Sequence, residues 1–337
     1  MASITDVANK AGVSVKTVSR IMNGFEGVSE RTKAKVHKAM RELEYYPSAA
    51  AQALRGKDSG IVSLITENLT TTPDSFEIVA GIQSVCEANG MLLLIGETGG
   101  KKASFEKLVE DFRRQRSQAI IYATVFHKEV SIEQKFEHCP LILVNCYERE
   151  TRHSTILPDD EMGAFTATKK LIEEGHSNIA FLTLFDDMRA TKLRLAGFKR
   201  AFEEHDLPVN EKFIKQGVSR DPEDEFSSLE FTLRELLSYA ERPTALMCGN
   251  DKMAMRVYML VRGVLGYQIP EQISVVGYDN YHMIADNLVP KLSTVSLPYF
   301  KMGEMAAQQA IAQSQSNRIY KLAGEFISRQ STRVIDE

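Results

Sequence analysis

The sequence has no apolar run of the roughly eighteen residues that a membrane-spanning helix needs, so no membrane partner is expected. Met1 to Lys10 include Asp6 and Lys10 and lack the apolar stretch of a secretory signal, so export is not expected either. Cysteine is scarce. Cys86, Cys139, Cys146 and Cys248 form no C-x-x-C pair and stand beside no histidine cluster, so reduced, mostly buried thilos of a cytoplasmic protein are expected rather than a disulfide framework or a zinc site. The histidines, His37, His127, His138, His153, His176, His205 and His282, lack metal-ligand spacing, and His176 after Gly175 reads as a structural residue at a helix end. G-x-G-x-x-G after a strand, G-x-x-x-x-G-K-[ST] and G-x-S-x-G are all missing. No catalytic residue, metal or cofactor is therefore expected.

What is present is a globular composition, 43% hydrophobic and 26% charged, over 337 residues, enough for a small head and a large body. The net charge of −4 is unevenly spread. Residues 1–58 hold ten Lys and Arg against six Asp and Glu, a balance of +4; the remainder holds 31 against 39, a balance of −8. A basic head on an acidic body fits a head that meets a polyanion.

The head reads as three short helices. Thr5 is placed to cap the first, with Val7, Ala8 and Ala11 on its apolar face and Gly12 turning the chain. Ser14 caps a second helix over 15–22, with Val18, Ile21 and Met22 inward. Ser29 caps a third from Glu30 to Leu43, and Pro47 stops it. Two short helices joined by a glycine turn read as a helix-turn-helix. On the outer face of the second helix, Val15, Lys16, Ser19 and Arg20 suit base edges and phosphates in a major groove. Ser14, Thr17, Ser19, Asn23, Ser29 and Thr32 are short donors that suit phosphate oxygens. An ordinary helical hairpin with a polar outside remains an equal reading of these residues by themselves. Residues 48–56, rich in alanine, favour helix but are too short to be stable alone.

From Ile61 onward, short apolar runs alternate with helical segments. Runs at 61–65, 91–95, 119–122 and 141–144 form one series, and those at 179–184, 245–248 and 273–276 a second. The alternation predicts two doubly wound lobes with parallel sheets covered on both faces. Ligands then bind beyond the carboxyl ends of the strands. Asn145, Asn250 and Asp279 stand at such ends and, converging on one cleft, would suit the hydroxyls of a sugar; Arg194 adds a charged donor. Helix capping is the competing role, and it is expected for Asp251 and Asn280.

Thr5-Asp6-Val7-Ala8, Ala11-Gly12-Val13-Ser14, Thr17-Val18-Ser19-Arg20, Asn23, Val28-Ser29, Thr32, Val36 and the stretch from Leu43 to Pro47 resemble, without a gap, the head of the lactose/galactose repressor (LacI/GalR) family. The resemblance continues through Arg194 to Phe198, Pro243-Thr244-Ala245, Asn250-Asp251, Ile273 to Asn280, Leu292 to Val295 and Phe326 to Ser331. It implies a helix-turn-helix head over 1–46, a hinge helix over 47–58 and a periplasmic-binding-protein-like α/β body over 59–337. The first lobe is expected at about 59–158 and 291–318, the second at about 159–290 and 319–337, with a return to the first lobe near Leu292. Val15, Lys16 and Arg20 are expected to read bases, and Ser14, Thr17, Ser19, Asn23, Ser29, Thr32 and Tyr45 to hold the DNA backbone. Ala51, Leu54 and Arg55 would meet the minor groove, Leu54 as a wedge. Asp74, Ser75, Asn145, Arg194, Ser219, Asn250, Asp279 and Tyr299 match the family's effector-contacting places, although many members carry an aromatic residue where Ser219 stands.

The implied function is that of a transcription regulator, a homodimer on pseudo-palindromic operator DNA, repressing a carbohydrate-utilisation operon and released by a small sugar-type effector. Alternatives are a corepressor-dependent, purine-repressor-like regulator and a sugar-binding protein without a regulatory role. No leucine-heptad tail of the kind that makes tetramers follows the last match, so a dimer is expected.

Overall fold

The computed structural model describes residues 2–22, 25, 27–45, 59–69, 74–221 and 223–335, and of residues 74 and 75 the backbone alone. Asn23, Ala51, Leu54 and Arg55, the 47–58 hinge and Pro47 lie outside the described residues. The chain forms two compact units, residues 1–59 and 60–337.

The head contains α1 (Ile4–Ala11), α2 (Val15–Met22) and α3 (Glu30–Glu42). Val7, Ala8, Val18, Ile21, Val36 and Ala39 bury a small core between them. The cap of α1 is Ser3 rather than Thr5: its hydroxyl accepts from the Asp6 amide at 3.2 Å while the Asp6 carboxylate accepts from the Ser3 amide at 2.8 Å. Reciprocal capping satisfies two orphan donors, which Thr5, inside the first turn, cannot do. Gly12 ends α1 at φ 65°, a left-handed conformation that glycine adopts freely. Ser14 and Ser29 cap α2 and α3 as expected, each accepting from the amide three residues on.

The body holds two six-stranded sheets. In the first lobe β1 (Ile61–Thr66), β2 (Leu92–Glu97), β3 (Ala119–Glu129), β4 (Leu141–Tyr147), β5 (Ser154–Asp159) and β11 (Ile319–Ala323) are ordered β11-β5-β4-β3-β1-β2, with every pairing parallel. In the second lobe β6 (Ile179–Thr183), β7 (Ile214–Gln216), β8 (Ala245–Cys248), β9 (Ser274–Asp279), β10 (Ser293–Ser296) and β12 (Glu325–Ile327) are ordered β12-β10-β9-β8-β6-β7, with β12 alone antiparallel. Helices cover both faces of each sheet. In the first lobe α4 (Asp74–Ala88) and α11 (Tyr299–Ile311) lie on one face and α5 (Lys102–Arg114) on the other. In the second, α6 (Asp160–Glu173) and α7 (Arg189–Glu204) face α8 (Leu229–Ser238) and α9 (Asp251–Gly263) across the sheet. The short α10 (His282–Ala285) follows β9.

The chain crosses between lobes three times; the first crossing, after β5, falls where the sequence suggested, and the other two do not. β10 stays with the second sheet, pairing Ser293 with Val276, so the return to the first lobe follows Ser296 rather than Leu292. β11 adds to the first sheet beside β5, so the last crossing falls at Gly324 and not before Ile319. There the two crossing segments nearly touch: a Cβ on Gly324 would lie 2.5 Å from the Ser296 carbonyl oxygen, so only glycine fits.

His176 is structural, as expected. It is buried, its Nδ1 lies 2.8 Å from the Thr244 hydroxyl, and its Nε2 lies 3.2 Å from the Arg333 carbonyl. Burial pushes its pKa down to about 4. Unfolded chains take up the proton near pH 6.5 and the folded chain only near pH 4, so this site's stabilisation, complete above about pH 6.5, is lost as pH falls toward about 4. His176→Gln should therefore flatten the pH dependence of the unfolding midpoint across that window relative to the wild type. Parallel profiles for the two proteins would remove His176 as the cause.

Candidate effector cleft and nucleic-acid interface

On the head, Val15, Lys16 and Arg20 are exposed along one side of α2, as expected, with Val18 and Ile21 on the buried side. The Arg20 guanidinium carbon stands 5.4 Å from the ring centroid of Phe25, which is itself 59% exposed. Phe25 was not legible as part of this face, because a lone aromatic in a turn has no periodic partner. The hydroxyls form two linked pairs: Ser14 with Thr17 at 2.9 Å and Ser29 with Thr32 at 2.8 Å. One hydrogen bond joins each pair, so each keeps a second O–H for an outside acceptor. Ser19 is half-buried, and Tyr45 packs against the head's core.

In the body, the site begins with an irregularity. β3 runs to Glu129, well past the expected end at Tyr122, and its register against β4 breaks: Ala123 faces Val144, and the next pair is Lys128 with Cys146. Residues 124–127 stand opposite Asn145 alone, an excess of three residues. Bulges re-aim side chains, and this one presents Phe126 and His127 at the carboxyl end of the sheet. Asn145 secures it. Its Nδ2 donates to the carbonyls of Thr124 at 3.1 Å and Val125 at 2.9 Å, and its own backbone adopts φ 58°.

Asn145, Arg194, Asn250, Asp279 and Tyr299 line one cavity between the lobes, together with Phe126, His127, Asp160 and an apolar rim of Val125, Pro158, Leu184, Met188 and Ala190. Five of the expected residues thus converge. Its volume is about 60 Å³, room for roughly two waters, so a sugar ring enters only if the lobes part. Ser219 does not line it; its hydroxyl is turned onto its own loop, 2.9 Å from that of Ser227 and 3.2 Å from the Asp224 carbonyl. The backbone of Asp74 and Ser75 opens α4.

Arg194 is 5% exposed and heavily committed. Its Nε donates to Asp160 Oδ1 at 2.8 Å and its NH1 to the Gly249 carbonyl at 2.6 Å, and the guanidinium lies 3.7 Å over the Tyr278 ring. His127 Nδ1 lies 2.9 Å from the other Asp160 oxygen. Burial pushes the Asp160 carboxyl up, but the Arg194 charge and the His127 hydrogen bond more than offset it, leaving the group below the usual carboxylate range. A relay His127–Asp160–Arg194 thus spans the lobes. Neither His127 nor Asp160 is legible in this place from sequence, because neither belongs to a spaced motif.

The capping roles at the second lobe are exchanged relative to expectation. Asn250 caps α9, its Oδ1 accepting from the Met253 amide at 2.8 Å. Asp251 is fully buried and accepts from the Thr294 hydroxyl and the Tyr281 amide, each at 2.7 Å; burial pushes its carboxyl up to about 7. Asn280 is not a cap either, accepting from Arg329 at 2.7 Å. Asp279 holds φ 119°, a strained conformation costing about 1–3 kcal/mol that concentrates at functional sites. Larger hollows, of about 460 and 400 Å³, lie at the amino ends of β3 and β4, and no buried side-chain polar atom without a partner lines them among the described residues.

Two families match the chain: "Bacterial regulatory proteins, lacI family" over residues 3–48 and "Periplasmic binding protein-like domain" over residues 168–332. The HTH-type transcriptional repressor PurR of Vibrio atlanticus is 31% identical over 342 residues, with all of both chains covered. The ribose operon repressor of Haemophilus influenzae is 28% identical, covering 91% of this chain and 90% of the other. Among solved structures, the lac repressor dimer bound to operator and the anti-inducer ONPF is similar at a TM-score of 0.78 and 26% identity, covering 98% of this chain and 99% of that one.

Proposed function

Because the chain belongs to the lacI family of bacterial regulatory proteins, we propose that it represses a carbohydrate-utilisation operon and releases its operator when an uncharged, hydroxyl-rich effector settles between the lobes. The family makes it a DNA-binding transcriptional regulator and not an enzyme. The charge of the cleft carries the choice of effector. Its lining holds two carboxylates, Asp160 and Asp279, against the single guanidinium of Arg194, which Asp160 already neutralises. An anionic ligand such as a sugar phosphate would meet a surplus negative charge at short range, which costs binding free energy. Neutral hydroxyls meet acceptors instead. Phe126, 56% exposed at the rim, offers a ring face in place of the aromatic residue missing at Ser219.

In this reading Val15, Lys16 and Arg20 read base edges, and the paired hydroxyls of Ser14, Thr17, Ser29 and Thr32 hold phosphates. Residues 47–58, with Ala51, Leu54 and Arg55, act as the hinge, and Asn23, Ser19 and Tyr45 complete the backbone contacts. Two heads bind one pseudo-palindrome, as one head has too few contacts for high affinity. The homodimer is supported by β2, an edge strand with Leu92 56% and Ile95 42% exposed, since an uncovered apolar edge pairs readily.

Binding-site selection with the full chain tests the DNA half. Lys16→Ala should change the preferred base at one position, each good contact discriminating by about 1–3 kcal/mol. Thr32→Val should weaken all operators alike. An unchanged consensus for Lys16→Ala would take Lys16 out of the reading set. For the effector half, neutral sugars should raise the melting temperature of the full chain, because a ligand of the native state alone stabilises it. Stabilisation by sugar phosphates only would overturn the choice of effector.

A further inference from the structure

Two buried polar atoms at this cavity lack a partner: His127 Nε2 and Asn145 Oδ1. Their residues are 7% and 1% exposed, and both line the first-lobe side of the cleft. The hydrogen-bond partners decide what each can still do. Asp160, held ionised beside Arg194, accepts from His127 Nδ1, which fixes the imidazole proton on Nδ1 and leaves Nε2 as a bare acceptor. Asn145 spends both N–H donors on the bulge carbonyls, which leaves Oδ1 able only to accept. A buried acceptor left unmet is destabilising, so the wall is built for a partner with donors.

Resting on the effector reading above, we propose that His127 is an effector-contacting residue: with Asn145 it presents two acceptors, so the effector is a neutral polyol that donates one hydroxyl to each, and Asp160 is the positioning residue that fixes the His127 tautomer. The second lobe adds a third acceptor, the Asp279 carboxylate. Satisfying the His127–Asn145 pair is part of what favours the ligand-bound lobe angle, since a ligand shifts an equilibrium only through contacts made better in one state.

The test uses the full chain, its operator from the selection above, and a fixed panel: D-ribose, D-glucose, cellobiose, sorbitol and glucose 6-phosphate. Wild type should be stabilised by, and release DNA with, at least one neutral member. For that member, His127→Phe should raise the half-effective concentration by roughly 5- to 150-fold. His127→Gln, which restores a side-chain acceptor, should recover part of the loss. Equal responses of wild type and His127→Phe would overturn the contact while leaving the neutral effector in place. Loss of response without rescue by His127→Gln would likewise overturn it. A wild type that answers only glucose 6-phosphate, or no panel member, would overturn the effector reading and this inference together.

Discussion

Arg194→Met is expected to lower the unfolding free energy of the body by about 3–5 kcal/mol, because it leaves the Asp160 carboxylate buried without its counter-charge. Asp160 is 1% exposed, so water cannot compensate, and the Gly249 carbonyl and the Tyr278 ring lose the guanidinium at the same time. The Asp160→Asn, Arg194→Met double variant should recover much of the loss, since it removes the orphaned charge as well as the pair. A urea midpoint that falls at constant slope measures the effect. A single variant within about 1 kcal/mol of wild type would show that the pair is solvated in solution, and the acceptor wall built on a neutralised Arg194 would lose its support. A double variant no better than the single would place the cost in lost packing instead.

Asp279→Asn should bind operator with wild-type affinity and fail to release it. Asparagine keeps the shape of the side chain and tolerates positive φ, so it preserves the strained turn at φ 119° while removing a charged acceptor from the cleft. Asp279→Ala would add backbone strain and confuse the two effects. The coupling between effector and operator is reciprocal and typically about 1–3 kcal/mol, a 5- to 150-fold change in operator affinity. Most of that factor should vanish in the variant when operator affinity is measured with and without the neutral sugar that releases the wild type. Release at the wild-type sugar concentration would place effector contact elsewhere. Tighter wild-type binding in the presence of the sugar would reverse the sign and make the chain corepressor-dependent.

The basic head, its three helices and its exposed row of Val15, Lys16 and Arg20 followed from local signals: caps, a glycine turn and a 3.6-residue period. Such signals act within one or two turns, so they survive without knowledge of the rest of the chain. Even there a single choice failed, Ser3 over Thr5, because reciprocal capping depends on which side chain reaches back. In the body, Asn145, Asn250 and Asp279 were legible because strand ends of a doubly wound sheet face one cleft, and Arg194 because it lies on the helix after such a strand; Tyr299 came from the family resemblance alone. Ser219, also taken from the resemblance, failed because a matching position does not settle which way its loop folds.

Periodicity and short-range chemistry along the chain suffice for the helix-turn-helix head, the alternation of apolar strand and helix, and the strand-end residues Asn145, Asn250 and Asp279. That β10 belongs to the second sheet and β11 to the first emerges with the folded chain, because strand pairing joins segments far apart in the chain with no local mark of partner. So do the bulge after Ala123, the Asp160 bridge from His127 to Arg194, and the two unmet acceptors. Those depend on which buried polar atoms find partners after packing, and that is a property of the assembled fold rather than of any one segment.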